Sequence, residues 1–137
     1  EKSIKFTNFF KRSASNMKTF CYKDVSSDDN DFKSGIAKNL VKSRRKNTAP
    51  GKIAIWAWAA MRVMDYVETL GDVIDLDNVA IIGHSRLGKT TLLTAAFDER
   101  VKFACANDSG TSGDAIARQT RGESSSVSAD ASKYSGR

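Results

Sequence analysis

Apolar residues dominate a long segment in the middle of the chain, residues 52–70, which contains no Gly or Pro. Its few polar positions recur three to four residues apart, so they share one narrow stripe of a helix. This pattern predicts a single long helix that neighbouring elements cover on most sides. Trp56 and Trp58 lie within it. They could line a sugar-binding surface, but their place in an apolar helix favours core packing.

A second pattern follows the helix. Residues 78–83 form a short, continuously apolar run bounded by turn residues, which indicates a buried parallel strand. Residues 87–97 have the composition of a helix, and residues 101–106 that of another strand. A strand, a helix and a strand at this spacing form a βαβ unit, which places the chain in the α/β class.

The first third of the chain is less regular. Residues 17–22 indicate a short strand, and residues 23–35 are rich in the Ser, Asp, Asn and Gly of turns. Asp28, Asp29 and Asp31 invite comparison with a calcium loop. The segment lacks the alternating ligands, the glycine and the distant glutamate of such a loop, so we interpret it as a surface turn.

Length and composition divide the chain into three parts. A chain of 137 residues suits one domain and is short for a complete α/β enzyme, which often has about 200–250 residues. Residues 1–19 form an N-terminal segment of uncertain structure, since residues 1–16 give no clear pattern. Residues 20–123 form the α/β domain. Residues 124–137 are rich in serine and have little to bury, which predicts a disordered or non-native tail.

Charge is unevenly distributed along the chain. Residues 1–52 contain 13 Lys and Arg against 5 Asp and Glu, whereas residues 53–137 contain 9 against 11. A basic arm can bind nucleic acid, but no aromatic residues interleave with the basic run to stack on bases. No apolar stretch reaches the roughly 18 residues of a membrane span. We therefore expect neither a nucleic acid nor a membrane as partner.

The candidate chemistry lies in residues 83–90, Gly-His-Ser-Arg-Leu-Gly-Lys-Thr, at the predicted junction of strand and helix. This segment matches the phosphate-binding loop G-x-x-x-x-G-K-[ST], in which Lys89 would reach phosphates and Thr90 would hold Mg²⁺. The two bulky residues before Gly88, and the short distance to any acidic metal ligand, argue against this nucleotide-binding alternative. It remains open from sequence alone.

The same segment also matches a nucleophile elbow, in which a serine on a tight turn exposes its hydroxyl above the sheet. Gly83 stands two residues before Ser85, as the elbow requires, but Leu87 stands where the second glycine is usual. The backbone N–H of Arg86 would then face a developing oxyanion.

The form G-x-S-R-x-G-K resembles the elbow of the glucuronoyl esterases. These are carbohydrate esterases of the α/β-hydrolase fold that cleave 4-O-methyl-glucuronoyl esters linking xylan to lignin. The resemblance covers residues 20–123 and includes residues 22–25, 27–32, 52–70, 76–79, 97–100 and 107–113. It implies an incomplete α/β-hydrolase fold, with a parallel sheet fragment, flanking helices and a nucleophile elbow at residues 83–88.

The resemblance also implies roles for individual residues. Ser85 would be the nucleophile, Arg86 would stabilise the oxyanion, and Lys89 would contact sugar hydroxyls of the uronate. Asp108 matches the position where some members carry a catalytic Glu, although other members place this acid later in the chain. The implied partner is glucuronoxylan or a related uronate ester, with no cofactor and no metal. The family also implies a secreted or periplasmic protein.

His84 is the only histidine of the chain. Adjacent side chains diverge on an elbow, and the base of a triad approaches the serine from another loop. The triad order in this fold is Ser, acid, His, so we expect the base to lie beyond these residues. The chain is then a partial serine esterase with little or no activity of its own. A non-catalytic truncated remnant is the other interpretation.

Overall fold

The fold is an α/β arrangement, seen in a computed structural model that describes residues 3–8, 17–29, 31–40, 49–110 and 113–114. The serine-rich tail at residues 124–137 lies outside these described residues. The strands and helices are β1 (Ser3–Asn8), β2 (Lys18–Cys21), α1 (Tyr22–Val25), α2 (Ala37–Leu40), α3 (Lys52–Glu68), β3 (Val79–His84), α4 (Arg86–Phe97) and β4 (Phe103–Asn107).

The described strands form one sheet in the order β2-β1-β3-β4. β3 and β4 are parallel, with Ala80 opposite Phe103 and His84 opposite Asn107, and α4 connects them. This confirms the predicted βαβ unit. β1 runs antiparallel to both β2 and β3, so the N-terminal segment that the sequence left unassigned supplies an inner strand of the sheet.

The long apolar helix is present as α3 and ends at Glu68, two residues before the predicted end. Its apolar side chains join the core with residues from the sheet and from α4, which include Ile4, Ile81 and Leu87. The two tryptophans differ: Trp56 is 1% exposed, whereas Trp58 is 38% exposed and lies under the guanidinium of Arg62. Core packing is therefore confirmed for Trp56 and wrong for Trp58.

A cluster of charges around Arg100 ties α3 to the segment before β4. The guanidinium donates to Asp98 at 2.6 and 2.7 Å, to Asp65 at 3.0 Å and to Glu68 at 2.6 Å. These bonds hold the pKa of the buried Asp98 carboxyl below its usual value, chiefly through the side-chain hydrogen bond from Arg100. The cluster fixes the last turns of α3 against the entrance to β4.

The β4 side of the sheet is exposed. Phe103 is 49% exposed, and the next two residues of β4 are also exposed. Among the described strands, β4 pairs on one side only, with β3. In the described ranges no helix has the length and apolar character needed to cross a membrane.

Candidate active site

A single residue, Ser85, connects β3 to α4. Its backbone has φ 57° and ψ −124°, a conformation that non-glycine residues seldom adopt and that is typical of strained functional positions. The chain therefore reverses sharply at the carboxyl end of β3 and carries the serine at the apex. This is the turn that the elbow interpretation predicts.

Two glycines allow this turn. A Cβ atom on Gly83 would lie 2.5 Å from the carbonyl carbon of Leu87 and 2.6 Å from Oγ1 of Thr91. A Cβ atom on Gly88 would lie 2.8 Å from the Cβ of Ser109, so α4 packs closely against the segment after β4. Leu87 itself is 3% exposed and belongs to the core, which explains a leucine where other elbows have glycine.

The geometry does not fit the phosphate-binding alternative. The backbone N–H groups of Gly88 and Lys89 donate to the carbonyl of Ser85 at 2.9 and 3.3 Å. Thr90 is fully buried, and its hydroxyl donates to the carbonyl of Arg86 at 3.1 Å. The groups that would hold phosphate and Mg²⁺ are thus engaged inside the first turns of α4, and the open loop needed to cradle a phosphate is missing from this junction.

The predicted site residues converge at the carboxyl ends of β3 and β4. Ser85 follows β3, and Asp108 follows β4 and has a φ of 50°. The N–H of Ser85 donates to the carbonyl of Asn107 at 2.9 Å, so the two turns are joined directly. Arg86 opens α4, and Lys89 lies one helical turn after Ser85. The structure thus brings all four residues to one edge of the sheet.

His84 occupies a different position. As the last residue of β3 it is exposed, and its Nδ1 lies 3.2 Å from the side-chain nitrogen of Asn107. No hydrogen bond in the described part of the chain joins the imidazole to Ser85. This placement agrees with a supporting role rather than that of a general base.

Asp28 enters the site from the turn-rich segment that sequence analysis placed on the surface. Its carboxylate pairs with Nη1 of Arg86 at 3.0 Å, and the side chain is only 22% exposed. Its other oxygen, Oδ1, is buried and has no hydrogen-bond partner among the described residues. The surface-turn interpretation is therefore wrong for Asp28, and no local pattern could have shown a pairing across 58 residues.

Lys52, the first residue of α3, holds the segment that carries Asp28 through its side-chain ammonium. Its side chain is 1% exposed, and its ammonium donates to the Ser26 hydroxyl and the Ser27 carbonyl, both at 2.7 Å. It also donates to the Asp29 carboxylate at 3.0 Å and to the Asp31 carbonyl. A buried ammonium is unfavourable without such partners. The hydrogen bonds to Lys52 therefore stabilise the loop in this conformation.

A shallow, open cleft lies beside the elbow. Its lining combines aromatic and charged side chains: Tyr22, Asp28, Trp56, His84, Arg86 and Leu87. Within the described ranges, no group of three or more His, Cys, Asp or Glu side chains is arranged to hold a metal ion.

The segment after β4 is held by Asp114. Its carboxylate accepts hydrogen bonds from the Ser109 hydroxyl and the Gly110 N–H, both at 2.7 Å. These bonds, chiefly the one from Ser109, hold the pKa of Asp114 below its usual value. Since Ser109 packs on Gly88, the turn that carries Asp108 is tied to α4.

Comparisons with known proteins agree with this geometry. A family model described as "Glucuronyl esterase, fungi" matches residues 7–135. Carbohydrate esterase MZ0003, from an unknown prokaryotic organism, is 48% identical over 73 residues, which are 53% of this chain and 17% of that protein. A 4-O-methyl-glucuronoyl methylesterase of Phanerochaete carnosa is 31% identical over 81 residues, which are 58% of this chain and 20% of that protein.

A solved structure is similar as well. The glucuronoyl esterase from Solibacter usitatus superposes with a TM-score of 0.59 and 39% sequence identity, over 74% of this chain and 26% of that one. The likeness places the described sheet and helices within an α/β-hydrolase fold. The chain spans about a fifth of the length of the curated relatives above.

Proposed function

The chain belongs to the glucuronyl esterase family, and we propose that it carries the nucleophile and oxyanion site of a serine carboxylic-ester hydrolase. The proposed substrates are 4-O-methyl-glucuronoyl esters of plant cell-wall xylan. The observation that carries this proposal is the strained Ser85 between β3 and α4. The names of the relatives, which include 4-O-methyl-glucuronoyl methylesterase, support the substrate class. We also propose a secreted or periplasmic location, which is what the resemblance to this family implies.

In the proposed reaction the Ser85 oxygen attacks the ester carbonyl carbon, and its proton passes to a general base. The negative charge that develops on the carbonyl oxygen is stabilised by Arg86, through its backbone N–H and its guanidinium. The C–O bond then breaks, the alcohol leaves with the proton, and water releases the uronate from Ser85. Lys89 holds sugar hydroxyls, and Asp108 orients the base.

The base itself is the missing part of this proposal. His84 is the only histidine, and its ring is engaged with Asn107 rather than with Ser85. We therefore infer that a histidine outside these 137 residues serves the complete reaction. The chain alone then binds and positions an ester without turning it over at an enzymatic rate.

Labelling with a fluorophosphonate tests the nucleophile. Because the base lies outside these residues, labelling should be slow, but the oxyanion donors at the elbow should still favour Ser85 over the other serines. We expect mass spectrometry to find one label, on the peptide that contains Ser85, and to find none in the Ser85→Ala variant. The same chain unfolded in urea is the control, and it shows how much of the labelling of Ser85 depends on the fold. Equal labelling of several serines, or labelling that survives unfolding, contradicts the proposal.

Hydrolysis of a methyl glucuronate ester tests the inference about the base. We expect release of methanol to stay near the background rate for both the chain and its Ser85→Ala variant. Repeated turnover that depends on Ser85 contradicts the inference that the base lies outside these residues.

A further inference from the structure

We propose that Asp28 is a positioning residue of the esterase site: its carboxylate holds the Arg86 guanidinium beside Ser85, and Lys52 holds the loop that carries Asp28. This inference rests on the proposed function, because the orientation of Arg86 affects the reaction only if Ser85 is the nucleophile. It assigns a role to a segment, residues 26–31, that lies far from the elbow in sequence.

The first step of the argument is the ion pair itself. Nη1 of Arg86 donates to Oδ2 of Asp28 at 3.0 Å, and the two side chains are 38% and 22% exposed. Both residues line the cleft beside the elbow. Charge-assisted bonds to a guanidinium are shorter and stronger than neutral ones and fix its orientation. Asp28 is thus a direct determinant of where this cation points.

The second step concerns the other oxygen of Asp28. Oδ1 is buried, and no described residue donates a hydrogen bond to it. A buried acceptor without a partner is unfavourable, so the carboxylate gains from any further N–H that the guanidinium brings. The unpaired oxygen therefore also favours a guanidinium that stays next to Asp28.

The third step is the rigidity of the support. The Lys52 ammonium binds four oxygens of residues 26–31 and lies 4.6 Å from the centre of the Phe32 ring. Trp56 donates from its indole nitrogen to the Ser26 carbonyl at 3.0 Å. Both donors belong to α3, whose position is fixed by the core. A shift of Asp28 would leave the buried ammonium without its partners, so the loop keeps Asp28 in place.

The fourth step concerns the orientation that an oxyanion donor needs. Stabilisation of an oxyanion depends on donors that are oriented before the charge develops. An arginine side chain has many rotamers and must be fixed by its surroundings to act in this way. The Asp28 carboxylate, 3.0 Å from Nη1 of Arg86, is a partner that can fix the guanidinium in this way.

The first test measures the rate at which a fluorophosphonate labels Ser85, since negative charge also develops on the phosphoryl oxygen. Asp28→Asn keeps the shape and removes the charge. We expect it to slow labelling by about 5- to 50-fold, less than the loss of an oxyanion donor itself. Asp24→Asn, which removes an exposed charge from the neighbouring helix α1, is the matched control and should label at the wild-type rate.

A double variant separates positioning from a general effect on the fold. In an Arg86→Met background, Asp28→Asn should change the labelling rate less than about twofold, because its effect passes through the guanidinium. Independent effects of the two substitutions, or an Asp28→Asn variant that labels like the wild type, overturn the proposal.

The second test does not depend on the activity of Ser85. NMR of chains labelled with ¹³C,¹⁵N-arginine follows rotation of the Arg86 guanidinium, with the signal assigned by its loss in Arg86→Lys. We expect slow rotation in the wild type and in Asp24→Asn, and rotation at least about fivefold faster in Asp28→Asn, because an ion pair restrains the guanidinium.

The two measurements distinguish the two ideas. If the wild-type chain does not label at Ser85, the proposed function fails, while slow rotation that depends on Asp28 still supports the clamp on Arg86. If the Arg86 guanidinium rotates equally fast in the wild type and in Asp28→Asn, the positioning role is overturned whatever the labelling result.

Discussion

Ser85, the proposed nucleophile, has a costly backbone conformation. A non-glycine residue held in a sparsely populated region costs about 1–3 kcal/mol, and the surrounding structure must impose it. Here the constraint comes from β3 on one side and the first turn of α4 on the other. The fold thus gives up stability at the residue that we propose as the nucleophile.

This strain predicts the effect of two substitutions that both remove the hydroxyl. Ser85→Gly relieves the positive φ, whereas Ser85→Ala retains it. We expect the glycine variant to be more stable than the alanine variant by roughly 1 kcal/mol in the free energy of unfolding, measured by urea denaturation. Equal stabilities would show that the conformation of Ser85 carries no strain.

Gly83 tests the packing beneath the elbow. In Gly83→Ala the new methyl group would meet the backbone of Leu87, which cannot move without unwinding α4. We expect a loss of roughly 2–3 kcal/mol in the free energy of unfolding, the upper part of the range of about 1–3 kcal/mol for overpacking. Gly71→Ala is the control: its φ is not positive and its nearest contact is the flexible end of Leu76, so its stability should change by less than about 0.5 kcal/mol.

At the scale of single residues, the sequence predicted those whose position follows from a short, continuous motif. Gly83, Ser85 and Gly88 follow from the spacing of one short motif, and the structure places them in an elbow. The roles assigned to Ser85, Arg86, Lys89 and Asp108 remain predictions. Asp28 and Lys52 could not be found in this way, because their partners lie 58 and 21–26 residues away and no periodicity encodes such contacts.

At the scale of helices and strands, an element could be predicted when its own residues carry a clear apolar pattern. α3, β3, α4 and β4 each carry a continuous apolar pattern, and all four were predicted within a few residues. β1 contains charged and polar residues, SIKFTN, and its pairing with β3 spans more than 70 residues of chain. Its place in the sheet depends on this long-range antiparallel pairing, which the local pattern does not reveal.

The junction of α3 with the entrance to β4 should depend on pH. Asp98 has a lowered pKa in the folded chain because Arg100 bonds its charged form. Its stabilising effect is therefore complete above the ordinary aspartate pKa and is lost as the pH falls through the lower folded value. At pH 7 we expect Asp98→Asn to lower the free energy of unfolding by about 1–3 kcal/mol.

The measurement is urea unfolding of the wild type and of Asp98→Asn between pH 7 and pH 2. The difference in stability between the two should begin to shrink as the pH falls below about 4, where the unfolded aspartate becomes protonated, and should be lost once the pH falls below the lowered pKa of folded Asp98. Asp72→Asn, a substitution of an exposed aspartate in the turn after α3, serves as the control for general charge effects. A difference that stays constant over this range would contradict the role of the Asp98 charge.

At the scale of the whole molecule, the described sheet ends at an exposed strand. β4 has a partner on one side among the described residues, and Phe103 on it is 49% exposed. Relatives that share the fold are about four to six times longer than the matched segments. Those proteins have ample chain to extend a sheet beyond the corresponding strand. Among the residues that the structure describes, the unpaired side of β4 presents backbone groups that can pair with another copy.

This exposure predicts self-association of the isolated chain. Covering the exposed half of Phe103 is worth roughly 1 kcal/mol, about half the value for a fully buried phenylalanine. A lysine on an exposed edge opposes pairing through its charge. We therefore expect Phe103→Lys to weaken association by about 5- to 10-fold, measured by sedimentation velocity over a range of concentrations.

Phe97→Lys, at the end of α4 and 72% exposed, controls for hydrophobicity away from the strand edge. Equal effects of the two substitutions would assign association to general hydrophobic exposure, and a chain that stays monomeric at all concentrations would show that the β4 edge is already protected.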